Sequence, residues 1–433
     1  VVLSNEESSE YAKLYHPYSY DDFKKFAPAL PLDDFFQAVI GQTPDKVIVD
    51  EERFWQAAEQ FYSEEAWPLL KASLILSVVN LSTSYLTDEI RILSGAYGRA
   101  LSGVPEAQDK RKAAYHLAQG PFKQALGLWY AHEKFSPEAK ADVEKKVATM
   151  IDVYKERLAK NDWLTPETRE KAIVKLNVIK PYIGYPEELP ARYKDKVVDE
   201  SASLFENALA FARVEIKHSW SKWNQPVDYK EWGMPAHMVN AYYNPQKNLI
   251  VFPAAILQAP FYDLHQSSSA NYGGIGAVIA HEISHAFDTN GASFDENGSL
   301  KDWWTESDYA AFKEKTQKVI DQFDGQESYG AKINGKLTVS ENVADLGGIA
   351  AALEAAKREP DFSAEEFFHN FARIWRMKGR PELMKLMASV DVHAPAKLRV
   401  NVQVPNFDDF FTTYDVKEGD GMWRSPEDRV IIW

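Results

Sequence analysis

The stretch His281-Glu282-Ile283-Ser284-His285 constrains this chain more than any other part of its sequence. On an α-helix, residues four apart share one face, so the two histidine rings would project side by side. Two imidazoles at that spacing can bind one Zn²⁺, and the carboxylate of Glu282 beside them can polarise a water molecule. The alternative is a surface helix with two solvated histidines, so the rest of the chain must be searched for a third ligand.

A catalytic zinc ion takes three protein ligands and keeps one position for water. A third histidine within the extended pattern H-E-x-x-H-x-x-G-x-x-H is excluded, because Asp288 replaces its glycine and Gly291 replaces its last histidine. The remaining arrangement uses a glutamate from a second helix. Asp288, three residues after His285, can then orient the ring of that histidine.

The segment Ser340–Asp345 supplies such a glutamate. Glu341 and Asp345 lie four residues apart on one predicted helix face, so one can bind zinc while the other orients a ligand histidine. By itself this segment could equally be a capped, solvated helix start. Together with the upstream motif, it favours a zinc site in which a carboxylate of this segment joins His281 and His285.

Hydrolysis of a peptide bond follows from these residue types. A bound Zn²⁺ activates water and polarises a carbonyl, and Glu282 can carry the proton to the leaving amine. His393, oriented or kept protonated by Asp391, is a candidate donor to the developing oxyanion. Asn240 and Ala241, on a predicted edge strand, can hold an extended peptide by strand addition.

Composition excludes several other functions. A net charge of −15 over 433 residues argues against a nucleic-acid partner, because phosphate binding needs a basic face. The chain has no cysteine, which excludes thiolate ligands and disulfides and fits a reducing cytosol or a bacterial protein of any compartment. No apolar run reaches the roughly 18 residues that a membrane span requires.

The order of elements predicts two parts. Residues 1 to about 180 have helical periodicity, and prolines and a glycine within 183–190 indicate a loop and a domain boundary. A β-hairpin is predicted at 238–252, directly before the H-E-x-x-H helix. Further helices are predicted over 32–40, 51–61, 66–85, 137–158, 165–179, 203–219, 305–323 and 338–353.

Several segments resemble, in order and spacing, the signatures of the neprilysin family of zinc metallopeptidases. The cysteine-free composition is similar to that of the bacterial endopeptidase O type. The segments are Val239–Tyr243, Val251–Ala254, His281–Asp288, Asp302–Trp304, Glu341–Gly348, and His393 followed by Arg399–Asn401.

The resemblance implies a mainly α fold with a small β component and two lobes. A thermolysin-like (gluzincin) catalytic domain is expected at 191–433, and a helical lobe at 1–190 is expected to roof the cleft. The expected activity is zinc-dependent endopeptidase cleavage of oligopeptides on the amino side of hydrophobic residues, with one Zn²⁺ per chain. The resemblance also implies roles for individual residues: zinc ligands His281, His285 and Glu341; general base Glu282; transition-state stabilisation by His393; orienting carboxylates Asp345 and Asp288; backbone contacts from Asn240 and Ala241; a carbonyl anchor at Arg399; and a hydrophobic pocket at Ile374 and Trp375.

Two departures from the family pattern shape further expectations. Val430 stands where the family has a cysteine, and family members extend further at the N-terminus. The chain is therefore expected to begin partway through the helical lobe, with the missing N-terminal segment as a candidate partner besides oligopeptides. The expected location is cytoplasmic, released or at the surface of a bacterium.

Two other functions compete with an endopeptidase. A binding or scaffold protein with a vestigial site is disfavoured, because such a site has no chemical reason to keep Glu282. A zinc aminopeptidase is disfavoured because no acidic cluster for a substrate amine accompanies the predicted edge strand.

Overall fold

The computed structural model describes residues 2–433, and these residues form a mainly helical protein with little strand. Within this range, no helix combines the length and apolar character that crossing a bilayer requires. The helices are α1 (Asn5–Ser8), α2 (Tyr20–Lys24), α3 (Leu32–Ile40), α4 (Glu52–Gln56), α5 (Ala58–Phe61), α6 (Trp67–Ser82), α7 (Asp88–Ser94), α8 (Ala96–Ser102), α9 (Lys110–Gln119), α10 (Lys123–Lys134), α11 (Pro137–Lys160), α12 (Pro166–Asn177), α13 (Leu204–Ser221), α14 (Ser268–Asn271), α15 (Ala277–Ser284), α16 (Glu306–Phe323), α17 (Val339–Ala356), α18 (Ala364–Ile374), α19 (Pro381–Val390), α20 (Ala396–Asn401) and α21 (Asp408–Tyr414).

The strands form three small sheets. In the largest, the order is β3-β5-β4, with β3 parallel and β4 antiparallel to the central β5, so β4 lies at an edge. The other two sheets are antiparallel pairs, β1 with β2 and β6 with β7. The strands are β1 (His16–Ser19), β2 (Lys46–Val49), β3 (Lys180–Gly184), β4 (Tyr242–Asn244), β5 (Leu249–Pro253), β6 (Glu327–Ser328) and β7 (Ala331–Lys332).

Local sequence signals explain where the long helices begin. The Ser136 hydroxyl accepts a hydrogen bond from the Ala139 amide at the start of α11, and proline follows as the first helical residue. Thr165 caps α12 in the same way. Ser203 and Glu206 form a reciprocal capping box at α13. The predicted helices at these three positions are confirmed.

The first 180 residues are less uniformly helical than predicted. β1 and β2 pair over four residues each, because alternate side chains such as Val49 bury against Tyr20 and Phe23. The predicted helix over 51–61 is interrupted at Ala57, which leaves the short helices α4 and α5. The loop predicted from residue 183 starts later, because Ile183 and Gly184 complete β3 beside β5.

The predicted hairpin exists, but its first strand is shorter than predicted. Asn240 and Ala241 do not lie on the edge strand, which begins only at Tyr242. The reason is local turn chemistry: the Asn240 amide donates to the Met238 carbonyl, and the Ala241 amide donates to the Asn240 side chain. These two residues therefore directly precede β4.

Internal contacts divide the chain into two compact units whose bounds differ from the predicted lobes 1–190 and 191–433. One unit runs to Lys123 and also contains Glu188–Asp228. The other combines Gln124–Glu187 with Tyr229–Trp433. The difference arises because α11 packs against α15 and α17, α12 packs against α11, and β3 pairs with β5.

Two glycines allow the central helices of the second unit to approach closely. All residues of α15 are buried, and α17 packs directly along it. A β-carbon on Gly348 would lie 2.8 Å from the His281 amide nitrogen, and one on Gly347 would lie 2.3 Å from Oγ of Ser284. Only glycine fits at either position, so this pair sets the distance between the helix that carries the histidines and the helix that carries Glu341.

Candidate metal centre

The two histidines of the H-E-x-x-H motif project from the C-terminal end of α15. The His285 amide donates to the His281 carbonyl at 3.1 Å, which continues the helical turn past Ser284. The Nε2 atoms of the two rings lie 3.0 Å apart, so both rings point to the same place. The predicted pairing of these side chains on one helix face is confirmed.

Glu341 reaches the same place from the first turn of α17. Its Oε2 lies 3.3 Å from Nε2 of His281 and 3.5 Å from Nε2 of His285. The atom is buried, yet among residues 2–433 no partner meets it with hydrogen-bond geometry. A buried carboxylate oxygen facing imidazole nitrogens indicates a place for a cation.

The spacing of these atoms fits a tetrahedral metal ion. Zinc bonds to nitrogen and oxygen measure about 2.0–2.1 Å, so tetrahedral ligand atoms lie about 3.3 Å apart. The three observed separations, 3.0, 3.3 and 3.5 Å, bracket that value. Within residues 2–433, His281, His285 and Glu341 are the side chains whose ligand atoms lie close enough together to share one metal ion.

Asp345 holds the ring of His281 from behind. The His281 Nδ1 and an Asp345 oxygen lie 2.8 Å apart, which leaves Nε2 directed at the site. Arg399 donates two hydrogen bonds to the same carboxylate, at 2.8 and 2.6 Å. Burial alone would raise the pKa of Asp345, but Arg399 and His281 outweigh burial and lower it to about 2.

Asp288 holds the ring of His285 in the corresponding way, with His285 Nδ1 2.6 Å from Oδ2. The other carboxylate oxygen accepts hydrogen bonds from the Asn290 and Gly291 amides, at 2.8 and 2.6 Å. The Ser340 hydroxyl also donates to Oδ2, at 2.6 Å. Sequence reasoning missed Ser340, because nothing in its spacing signals a contact that spans 52 residues.

Charge complementarity is strong around the ligand atoms. Burial opposes the charged form of His285, yet Glu341 and Asp288 outweigh it and raise the pKa of His285 well above its ordinary value. Burial likewise opposes ionisation of Glu341, but His285 and His281 hold its pKa well below the usual range. An anionic glutamate beside two nitrogens that attract positive charge suits the binding of a divalent cation.

Glu282 and His393 flank the cluster. Glu282 is buried on α15, and that burial raises the pKa of its carboxyl group, as a general base requires. His393 lies in the loop before α20, with its side chain 45% exposed and Nδ1 2.9 Å from Asp391. Its Nε2 lies 3.2 Å from Oε2 of Glu341, so the predicted His393–Asp391 pair reaches the cluster.

Only some of the predicted substrate-binding residues contact the side chains around the candidate metal ligands. The Arg399 guanidinium stacks over the Trp375 ring at 3.8 Å, which links both residues to the site through Asp345. Ile374 ends α18 beside Trp375. Within residues 2–433, neither Ile374 nor the exposed Asn240 forms a hydrogen bond or ion pair with the three candidate ligands.

Comparison with known proteins assigns the sequence to a family. Two profiles described as peptidase family M13 match residues 1–186 and 240–430. The chain belongs to peptidase family M13. A neutral endopeptidase of Lactococcus lactis subsp. lactis is 50% identical over 430 residues, covering 99% of this chain and 68% of the relative. This M13 chain spans about two thirds of such relatives, and only 65% of one from Streptococcus gordonii that is 79% identical.

Solved structures agree with the fold of the M13 chain. PepO from Lactobacillus rhamnosis is 38% identical with a TM-score of 0.96, and the match covers all of this chain and 69% of PepO. The zinc metalloprotease Zmp1 of Mycobacterium tuberculosis, solved with an inhibitor, is 30% identical with a TM-score of 0.92, covering all of this chain and 68% of Zmp1. The predicted family, its endopeptidase O type and the mainly helical fold are thereby confirmed.

Proposed function

We propose that this chain is a zinc-dependent endopeptidase that cleaves oligopeptides on the amino side of hydrophobic residues. The observation that carries the proposal is the convergence of His281, His285 and Glu341, whose ligand atoms lie 3.0–3.5 Å apart beside a buried glutamate. Names of relatives support it: Zmp1 is described as a zinc metalloprotease, and the Lactococcus relative as a neutral endopeptidase.

In this proposal the three converging side chains hold one Zn²⁺, and Glu282 is the base. When bound, Zn²⁺ lowers the pKa of water and polarises the carbonyl of the scissile bond. Glu282 accepts a proton from the attacking water and passes it to the leaving amine. Its raised pKa helps the first transfer, because a more basic carboxylate accepts a proton from water more readily than an ordinary glutamate does.

His393 is proposed to stabilise the oxyanion that develops on the carbonyl oxygen. Its Nδ1 is held by Asp391, so Nε2 is the nitrogen that faces the cluster and can donate. Burial alone would raise the pKa of Asp391, but contact with His393 outweighs it and lowers the pKa. Asp391 therefore stays ionised and holds the His393 ring in this orientation.

Substrate contacts are proposed on both sides of the reacting bond. Asn240 and the Ala241 carbonyl hold the peptide backbone beside the edge strand β4. Arg399 uses Nε and Nη2 to bind Asp345, which leaves Nη1 for the carbonyl of the substrate. Ile374 and Trp375 form the pocket for the hydrophobic residue after the cleaved bond.

Exchanging each buried glutamate for glutamine tests these roles separately. Glu282→Gln is expected to abolish cleavage of a short hydrophobic peptide while the protein retains one zinc ion per chain. Glu341→Gln, the matched control, is expected to lose both cleavage and zinc. Metal content is measured by elemental analysis and cleavage by mass spectrometry. Unchanged turnover in Glu282→Gln would refute the assigned base.

The extent of the chain calls for a second comparison. About one third of the length of each relative lies outside the region matched to this chain, and we propose that the further N-terminal segment expected from the family pattern contributes to substrate binding. A chain extended to the length of the relatives is expected to cleave faster than these 433 residues.

N-acetylated and free peptides should be cleaved alike, whereas an aminopeptidase would require the free amine.

A further inference from the structure

A lysine that is remote in sequence donates hydrogen bonds to the segment that follows the ligand histidines. Lys175, on α12, is only 1% exposed. Its Nζ donates to the carbonyl oxygens of Ala286 and Gly291 at 2.8 Å each, and to that of Phe294 at 2.6 Å. These three carbonyls belong to residues 286–294, which we call the Asp288 segment.

The surroundings of this ammonium group are unusual for a buried lysine. Such groups are normally paired with a carboxylate, yet within residues 2–433 no carboxylate oxygen forms an ion pair with Lys175. Instead, the ring centroids of Tyr243, Phe287 and Trp303 lie 6.0, 5.8 and 5.6 Å from Nζ. The three N–H groups are thus fully used by backbone carbonyls inside an aromatic enclosure.

Burial lowers the pKa of Lys175 to about 7, against the opposing effect of Asp288, Asp295 and Glu296. Keeping a cation here therefore has a considerable cost in free energy. A well-packed apolar side chain would avoid that cost, but it would remove a donor from three buried carbonyl oxygens, of which that of Gly291 has a second donor, the Phe294 amide. The buried lysine is explained if the function of the protein depends on where those carbonyl groups are held.

The Asp288 segment is the part of the chain that fixes the second ligand. Two amides of the segment, from Asn290 and Gly291, hold Oδ1 of Asp288, while Oδ2 holds Nδ1 of His285. Gly291 packs so closely that a β-carbon there would lie 1.7 Å from the His285 carbonyl oxygen. A shift of the segment would therefore move the carboxylate and the ligand ring together.

We propose that Lys175 is a positioning residue for the metal centre, holding the Asp288 segment in place so that Asp288 directs His285 toward the ion. This inference rests on the proposed function, since the ion is taken to be Zn²⁺. Lys175 acts on the site only through the Asp288 segment. A purely structural role would lower stability but leave the zinc affinity of the folded protein unchanged.

Zinc affinity of the full chain separates these possibilities. The dissociation constant for Zn²⁺ is measured by competition with a chromophoric chelator at about pH 6, below the pKa of Lys175. Lys175→Met is expected to weaken zinc binding about 10–100-fold, as loss of an outer support of a ligand typically does. Lys146→Met is the matched control, because Lys146 is also buried in this unit but pairs with Asp142 at 3.4 Å.

Circular dichroism establishes that each variant is folded at the temperature of the assay. If Lys175→Met does not fold, Lys175→Gln decides, because its amide keeps two donors for the carbonyls and is expected to weaken binding less. Unchanged zinc affinity in the folded Lys175 variant overturns the inference, and so does an equal loss in Lys146→Met. Failure of the unaltered chain to bind zinc would instead refute the proposed function itself.

Discussion

The two candidate histidine ligands are supported by opposite means. Behind His281, Asp345 is bound by the charged guanidinium of Arg399, from a helix 54 residues further along the chain. Behind His285, Asp288 is bound mainly by uncharged donors, two of them amides within three residues of it. Both carboxylates face an imidazole Nδ1, at 2.8 and 2.6 Å.

The difference shows that the same orienting task can be performed by an ion pair or by a folded loop. An ion pair depends on one partner, so its loss leaves a buried charge uncompensated. A loop divides the task among several hydrogen bonds, so loss of one donor leaves the others in place. The two supports should therefore respond differently to substitution and to pH.

The largest effect is expected from removing the charged partner of Asp345. Arg399→Met should lower the free energy of unfolding by about 3–5 kcal/mol, because Asp345 remains buried without its cation. Urea unfolding of the metal-free protein measures this loss. In the double variant Asp345→Asn/Arg399→Met the loss should be smaller than the sum of the single losses. A loss below about 1 kcal/mol, as for an exposed ion pair, would contradict the comparison.

A smaller effect is expected from acid. The pKa of Asp345 is about 2 in the folded protein and 3.8 ordinarily, so the folded state favours its ionised form. This contribution, about 2 kcal/mol, is present above pH 4 or so and is lost as the pH falls toward about 2. The difference in unfolding free energy between the unaltered chain and Asp345→Asn, both metal-free, should shrink over that range. A difference independent of pH would show that Asp345 does not titrate this way.

The smallest effect is expected in the support of His285. Ser340→Ala removes one of several donors to Asp288 and should cost about 1.5 kcal/mol, the lower range for a hydrogen bond to a charged group. Ser389→Ala is the control, because that hydroxyl donates only to the Lys385 carbonyl on an exposed helix face. Thermal unfolding compares the two variants. If Ser340→Ala cost as much as Arg399→Met, the loop would not share the task as described.

Much of the site could be predicted from sequence because its signals are local. His281 and His285 share one helix turn, and Glu341 and Asp345 share another, so helical periodicity alone places each pair. Periodicity does not show that the two helices contribute to one site. That inference comes from chemistry, because a catalytic zinc ion takes three protein ligands. The start of α11 and of α12 was equally predictable from a capping residue followed by proline.

What could not be predicted depends on distant contacts. Ser340 and Lys175 resemble ordinary helix residues, and only the tertiary structure brings them to the Asp288 segment. The edge strand was predicted too long because Asn240 binds its own neighbouring amide, a competition between side chain and strand that hydrophobic patterning does not register. The strands β1 and β2 are too short for their periodicity to stand out.

The discontinuous second unit limits how its chemistry could be moved between proteins. A segment cut at residue 191 would contain every candidate ligand but neither α11, whose Tyr154 donates to the Ala280 carbonyl, nor α12 with Lys175. Recombination or design would have to transfer Gln124–Glu187 together with Tyr229–Trp433, with residues 188–228 as an insertion between them. The unit that could be transferred is therefore the two segments together, and no single continuous stretch of the gene encodes it.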